Sequence, residues 1–64
     1  MRLEYRRLGD LSWKSVPREV IREAIQRAET IGHPNPRNPY LYINSVLAWI
    51  QILLGGDGVL IRVA

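Results

Sequence analysis

The chain has 64 residues, nine Lys and Arg against six Asp and Glu, a net charge of +3 and no cysteine. Disulfides, thiolate metal sites and cysteine nucleophiles are therefore excluded, and the one histidine cannot form a zinc site alone. A chain this short has a small core and marginal stability, and oligomerisation is the remaining way to add to that stability. We expect one domain over residues 1–64, with no cofactor.

Residues 1–7 alternate charged and apolar side chains, which is unlike the apolar centre of a signal peptide. No apolar run reaches the roughly 18 residues of a membrane span, and the lack of cysteine favours a reducing compartment. We therefore expect a cytoplasmic protein with no membrane span.

The N-terminal segment is typical of a strand followed by a turn. Residues 2–7 place Leu3 and Tyr5 on one face and charged residues on the other, which indicates a half-buried strand. Gly9-Asp10 suits a two-residue type II′ hairpin turn, with a short return strand over residues 11–16. The alternative is an irregular loop that leads into the first helix.

The first helix is predicted from about residue 17 to residue 31. Ser15 is a plausible cap and Pro17 fits the first turn, while Gly32 and Pro34 end the helix. Apolar residues form one stripe at helical spacing, and charged residues occupy the opposite face. The stripe consists of Val20, Ile21, Ala24, Ile25, Ala28 and Ile31.

A proline-rich connector leads to a second helix and a last strand. Asn38 is the expected cap and Pro39 the first helical residue, and the helix runs to about Leu54. After the glycine-rich turn at 55–58, residues 59–63 alternate as a strand. This order predicts a small α+β domain, β(β)ααβ, in which two antiparallel helices pack on a short antiparallel sheet formed by the N- and C-terminal strands.

The second helix is apolar over about two-thirds of its circumference, because only Asn44, Ser45 and Gln51 are polar between residues 40 and 54. The apolar residues form two stripes, and one of them can pack on the first helix and the sheet. We expect the other to form a homodimer interface, which we assign to Ile43, Leu47, Ile50 and Leu54. The assignment of the two stripes stays open, and the simpler alternative is that the sheet and the segment around Trp13 cover both. The second stripe consists of Tyr42, Val46, Trp49 and Leu53.

The basic character lies in the first half of the chain, where residues 1–27 carry seven cations against four acids. Arginines with nearby aromatic residues can bind a protein partner or nucleic acid. The simpler interpretation is a solvated charged face. The candidate binding residues are Arg2, Arg6, Arg7, Trp13, Lys14 and Arg37.

No arrangement of residues indicates catalysis. His33 has only Asp57, Ser45 and Glu29 as candidate partners, at no recognised spacing. The glycine-rich turn runs from a helix into a strand, so it lacks the helix N-terminus that holds phosphate in such loops. We therefore expect a non-enzymatic homodimer that acts as an interaction or regulatory protein without a small-molecule substrate. The alternative is a nucleic-acid-binding protein that uses the arginine-rich half.

Overall fold

The computed structural model describes residues 2–35, 37 and 42–64. In chain order these residues form strand β1, strand β2, helix α1, helix α2 and strand β3. Their bounds are Leu3–Arg7, Lys14–Ser15, Arg18–Thr30, Tyr42–Leu53 and Val59–Val63. The predicted α+β class is confirmed, since the N- and C-terminal strands join in one antiparallel sheet beside two helices.

The sheet has the strand order β2-β1-β3, and both pairings are antiparallel. Five residues of β1 pair with five of β3, from Leu3 opposite Val63 to Arg7 opposite Val59. The bounds predicted for β3 are those of the structure. The strand that lies first along the chain is therefore central, and the last strand forms one edge.

The turn after β1 differs from the predicted hairpin. Tyr5 lies opposite Lys14, a register centred between Gly9 and Asp10, but β2 has two residues instead of six. The chain turns one residue early, because the Asp10 amide donates to the Arg7 carbonyl at 3.0 Å. Gly9, with φ of 96°, then takes the second central position, which fits a type II turn. The predicted type II′ turn is therefore wrong.

The N-cap of helix α1 lies two residues after the cap that the sequence suggested. Ser15 belongs to β2, and the N-cap is Pro17, whose extended backbone leads the chain out of the strand. The Pro17 carbonyl accepts hydrogen bonds from the Val20 and Ile21 amides. The end is as predicted, since Gly32 has φ of 92° and its amide donates back to the Arg27 carbonyl.

The start predicted for the second helix, with Asn38 as cap and Pro39 in the first turn, lies outside the described residues. Helix α2 ends at Leu53, and the Gly55 and Gly56 amides donate to carbonyls of its last turn. Neither helix in the described ranges has the length and apolar character needed to cross a lipid bilayer.

The core lies between the helices and one face of the sheet, so the helices cover one face as predicted. Leu3, Tyr5 and Ile61 pack against it from the sheet, and Ile50 is its one large, fully buried side chain among the described residues. The opposite face of the sheet carries the residues that alternate with these, including Glu4, Arg6 and Arg62. The buried apolar residues are Val16, Ala24, Ala28, Val46, Trp49, Ile50, Leu54 and Val59.

Candidate interaction surfaces

The stripe predicted as a dimer interface is divided between core and surface. Ile50 is 0% and Leu54 7% exposed within one chain, whereas Leu47 is half-buried and Ile43 is 53% exposed. Ile50 and Leu54 are therefore core residues, which corrects their assignment to an interface. The reason is that α2 lies against α1 and the sheet together, so more than one stripe is covered. The dimer itself stays a prediction.

The second stripe of α2 is mostly covered as well. Val46 and Trp49 are buried, and the Trp49 indole donates to the Gly32 carbonyl at 2.7 Å. One chain thus covers most of both stripes, as the simpler alternative required. Trp13 itself lies on the other face of the sheet against Arg6 and Arg62, whereas Val16 of the same segment belongs to the core.

The N-terminal end of α2 keeps an apolar surface around Tyr42 and Ile43, which are both about half exposed. The Tyr42 hydroxyl donates to the Glu29 carboxylate of α1 at 3.3 Å. Partial desolvation and the negative charge of Glu29 raise the pKa of the Tyr42 phenol above its ordinary value. The phenol is therefore a neutral hydrogen-bond donor at physiological pH.

Strand β3 has a free edge. Within the described residues it has β1 on one side and no strand on the other. The Leu8 amide donates to the Gly58 carbonyl and the Ala64 amide to the Arg2 carbonyl, so the even-numbered residues of β3 bond to β1. The backbone groups of Val59, Ile61 and Val63 consequently point away from the sheet.

A groove lies between this free edge and α2, and we call it the edge groove. Its volume is about 480 Å³. The Gln51 amide crosses it and donates to the Val59 carbonyl at 3.1 Å, which satisfies one outward-pointing group of the strand. Ile61 and Val63 continue the edge beyond this contact. The residues that line the groove are His33, Asn44, Leu47, Ala48, Gln51, Val59, Leu60 and Ile61.

The sheet face opposite the helices carries a cluster of charged and aromatic residues that we call the guanidinium face. It comprises Arg2, Glu4, Arg6, Trp13 and Arg62. The Arg62 guanidinium lies 4.1 Å from the centre of the Trp13 ring, and that of Arg6 lies 5.1 Å from it. The indole thus lies against arginines from both β1 and β3.

Glu4 is the acidic member of the guanidinium face. Its carboxylate pairs with Arg62 at 2.9 Å and with Arg2 at 3.6 Å, and its side chain is 13% exposed. Two of the three guanidinium groups of the face therefore share one carboxylate. Among the described residues, the Arg6 Nε is buried without a hydrogen-bond partner. The face keeps an excess of positive charge.

The structure brings together three of the six predicted binding residues, Arg2, Arg6 and Trp13. Arg7 lies elsewhere, since its guanidinium donates to the Leu54 carbonyl at 2.8 Å and stacks over Tyr5. Lys14 lies opposite Tyr5 on the edge strand, and Arg37 is exposed in the connector. Neither Lys14 nor Arg37 is part of the guanidinium face as defined above.

Sequence reasoning missed Arg62. The alternation of residues 59–63 placed Arg62 and Leu60 on one face, which was the available signal. The alternation does not show the register between β1 and β3, which places Arg62 directly opposite Glu4, 58 positions away along the chain.

The residues considered for catalysis do not converge. His33 Nδ1 accepts a hydrogen bond from the Asn35 amide at 2.9 Å, in the connector after α1. Ser45 is buried in α2, and Glu29 bonds to Tyr42. In the part of the chain that the structure describes, no group of three His, Cys, Asp or Glu residues could hold a metal ion.

Comparison of the chain with models of protein families, with curated proteins and with solved structures finds no match. A function for this chain is therefore proposed from the free edge of β3 with its edge groove and from the guanidinium face.

Proposed function

We propose that this chain is a small, non-enzymatic binding protein that works as a homodimer joined along β3. The observation that carries the proposal is the free edge of β3, with its outward-pointing backbone groups beside the edge groove. Exposed edges pair readily with other strands, and natural proteins usually protect them with charge, proline or a covering element.

The sequence of β3 favours pairing. It reads Val-Leu-Ile-Arg-Val, so four of its five residues are apolar and three are β-branched. Its one charged residue, Arg62, lies on the guanidinium face and bonds to Glu4, so it does not shield the edge. The Val63 side chain is 63% exposed at the end of the strand. An edge of this kind gains both hydrogen bonds and apolar contacts when a second strand joins it.

Charge selects the register of such a dimer. Only registers that place outward-pointing residues opposite each other form hydrogen bonds. A two-fold axis at Arg62 would place Arg62 opposite itself, and like charges directly opposite are destabilising. An axis at Ile61 pairs Ile61 with itself, Val59 with Val63, and Leu60 with Arg62. We therefore place the two-fold axis at Ile61, which gives a continuous six-stranded sheet.

The size of the core also supports self-association. Among the described residues, Ile50 is the one large side chain that is fully buried, and oligomerisation is one of the ways in which domains of this length supplement a small core. A second copy along β3 would cover the edge groove, including Leu47 and the apolar side of Ile61. The half of the predicted interface that stays accessible, Ile43 and Leu47, lies on the helix beside this groove.

Val63→Pro tests the proposal. The Val63 amide points away from β1, so proline removes a hydrogen bond of the dimer and none of the chain's own ladder bonds. We expect the wild-type chain to sediment as a dimer at low micromolar concentration, and Val63→Pro to sediment as a monomer that still melts cooperatively.

Val63→Ala is the matched control, because it shortens the same side chain and keeps the amide. It should remain a dimer or weaken only slightly. A wild-type chain that sediments as a monomer, with a melting temperature independent of concentration, would refute the dimer. Equal dimerisation of the Pro and Ala variants would refute the β3 interface.

A further inference from the structure

We infer that the guanidinium face binds single-stranded nucleic acid. This inference names the partner of the binding protein proposed above and rests on that proposal only in assuming a macromolecular partner. One chain carries the whole face, which lies on the outer side of the sheet, away from the edge groove.

The charge of the molecule is unevenly distributed between its layers. Helix α1 carries three arginines and three glutamates, so it has no net charge. The three strands with the flanking Arg2 carry five cations and one anion, Glu4. The positive net charge of the chain therefore originates in the sheet, and such an asymmetric field attracts polyanions.

The cations of the guanidinium face are all arginines, and their geometry suits phosphate. A guanidinium presents a planar fork of donors that matches two phosphate oxygens. The Arg2 side chain is 69% and the Arg62 side chain 50% exposed, so both can reach a ligand while sharing the Glu4 carboxylate. Successive phosphates of an extended strand could then be contacted from β1 and β3.

Trp13 makes a strand with unpaired bases a better ligand than a duplex. The Arg62 guanidinium lies 4.1 Å from the indole centre, which is stacking distance, and the Arg6 guanidinium lies 5.1 Å from it. Bases stack on aromatic rings and on guanidinium planes alike. An unpaired base can extend this stack, whereas a duplex offers mainly its phosphates.

An anionic membrane fits the molecule less well. The exposed leucines that could insert into a bilayer, Leu8 and Leu11, lie in the loop after β1. That loop, residues 8–13, contains Asp10 and no cation, so these two most exposed leucines and the cations of the guanidinium face lie in different segments. Membrane-binding elements combine both on one surface.

Fluorescence anisotropy of a labelled oligonucleotide of about 12 nucleotides tests the inference, because single-strand sites span about 4–16 nucleotides. We expect a dissociation constant of about 1–100 μM at low salt, the range of non-specific electrostatic binding. Its logarithmic salt dependence should be about −0.7 for each phosphate contacted, hence about −2 for three arginines. The Val63→Pro monomer should bind as well, which separates this test from that of the dimer.

Three variants locate the site. Arg62→Gln should weaken binding about fivefold to tenfold at 50 mM salt, the effect of one lost phosphate contact. Arg22→Gln removes the same charge from the exposed face of α1 and should change binding less than twofold. Glu4→Gln should strengthen binding, because it frees two guanidinium groups from their shared carboxylate.

Several outcomes would overturn the inference. These are no binding at low salt with 100 μM protein, equal weakening by Arg62→Gln and Arg22→Gln, or unchanged binding in Glu4→Gln. Preference for duplex DNA, for polyglutamate or for phosphatidylserine vesicles over the single strand would assign the face to that other partner. Binding that survives Arg62→Gln but loses its salt dependence would also contradict it.

Discussion

The two halves of α2 carry the same kinds of side chain but lie in different surroundings. Ile50, and Leu54 just after the helix, belong to the core, whereas Tyr42 and Ile43 at the other end are half exposed. The C-terminal half is followed directly by the turn into β3, and Gln51 bonds to that strand. The N-terminal half contacts the end of α1 through the Tyr42–Glu29 hydrogen bond.

A helical stripe therefore has a length along the helix as well as a direction around it. Periodicity identifies the residues that share a face, and in α2 it grouped Ile43, Leu47, Ile50 and Leu54 correctly by angle. The part of a face that is buried depends on which turns of the helix lie over the sheet. The sheet of this small chain is short, so it covers only part of the apolar stripe of α2.

The largest difference between the two ends of α2 is expected for Ile50→Ala and Ile43→Ala. Removing the fully buried Ile50 side chain should lower the free energy of unfolding by about 2–5 kcal/mol, a large part of the stability of a small domain. The same change at half-exposed Ile43 should cost about 0.5 kcal/mol or less. Urea denaturation followed by circular dichroism measures both.

An equal loss of unfolding free energy in Ile50→Ala and Ile43→Ala would contradict the division of the stripe into a core part and a surface part. If Ile43→Ala became costly only at high protein concentration, a partner chain would be covering that end of the helix. In the latter case the interface would reach farther along α2 than the edge groove.

Much of the fold follows from local patterns. Residues 59–63 follow a glycine-rich turn and alternate between the two faces of the sheet. The strand forms there as predicted. In α1 the stripe was identified correctly, yet Ala24 and Ala28 are buried while Ile25 and Ile31 are exposed. The small alanines sit where the helices approach each other, and an apolar pattern alone cannot show that line of contact.

The candidate surfaces were less predictable because they depend on pairing between distant segments. Arg62 reaches Glu4 only through the β1–β3 register, and Trp13 joins the guanidinium face because the β1–β2 register brings it beside Arg6. Arg7, two strand positions after Tyr5, turns to the end of α2 instead. Composition could show an arginine-rich half, but not which arginines share a face.

Arg7→Leu tests the polar contact at the C-terminal end of α2. The guanidinium of Arg7 donates to the Leu54 carbonyl at 2.8 Å, where a cation also interacts favourably with the helix dipole. Its loss should lower the free energy of unfolding by about 1 kcal/mol, since the group is partly exposed. Arg22→Leu on the exposed face of α1 is the control, and it should change stability by less than about 0.5 kcal/mol. Equal thermal shifts in the two variants would show that the Arg7 contact does not hold the helix end.

Tyr42→Phe makes the smallest expected change, at the N-terminal end of α2. The folded chain raises the pKa of the Tyr42 phenol above its ordinary value of about 10, through partial desolvation and the nearby Glu29. The folded state therefore holds this proton more tightly than the unfolded state does. Below about pH 9 the phenol is protonated in both states, so the contribution of the hydrogen bond is constant.

As the pH rises through 10, the unfolded chain loses the proton first, and wild-type stability falls relative to Tyr42→Phe. Denaturant midpoints of the two chains between pH 7 and pH 10.5 measure this difference. A difference in midpoint that stays constant to pH 10.5 would show that Tyr42 and Glu29 are apart in solution. The end of α2 would then have no polar contact with α1, and its apolar residues would be free to meet a partner.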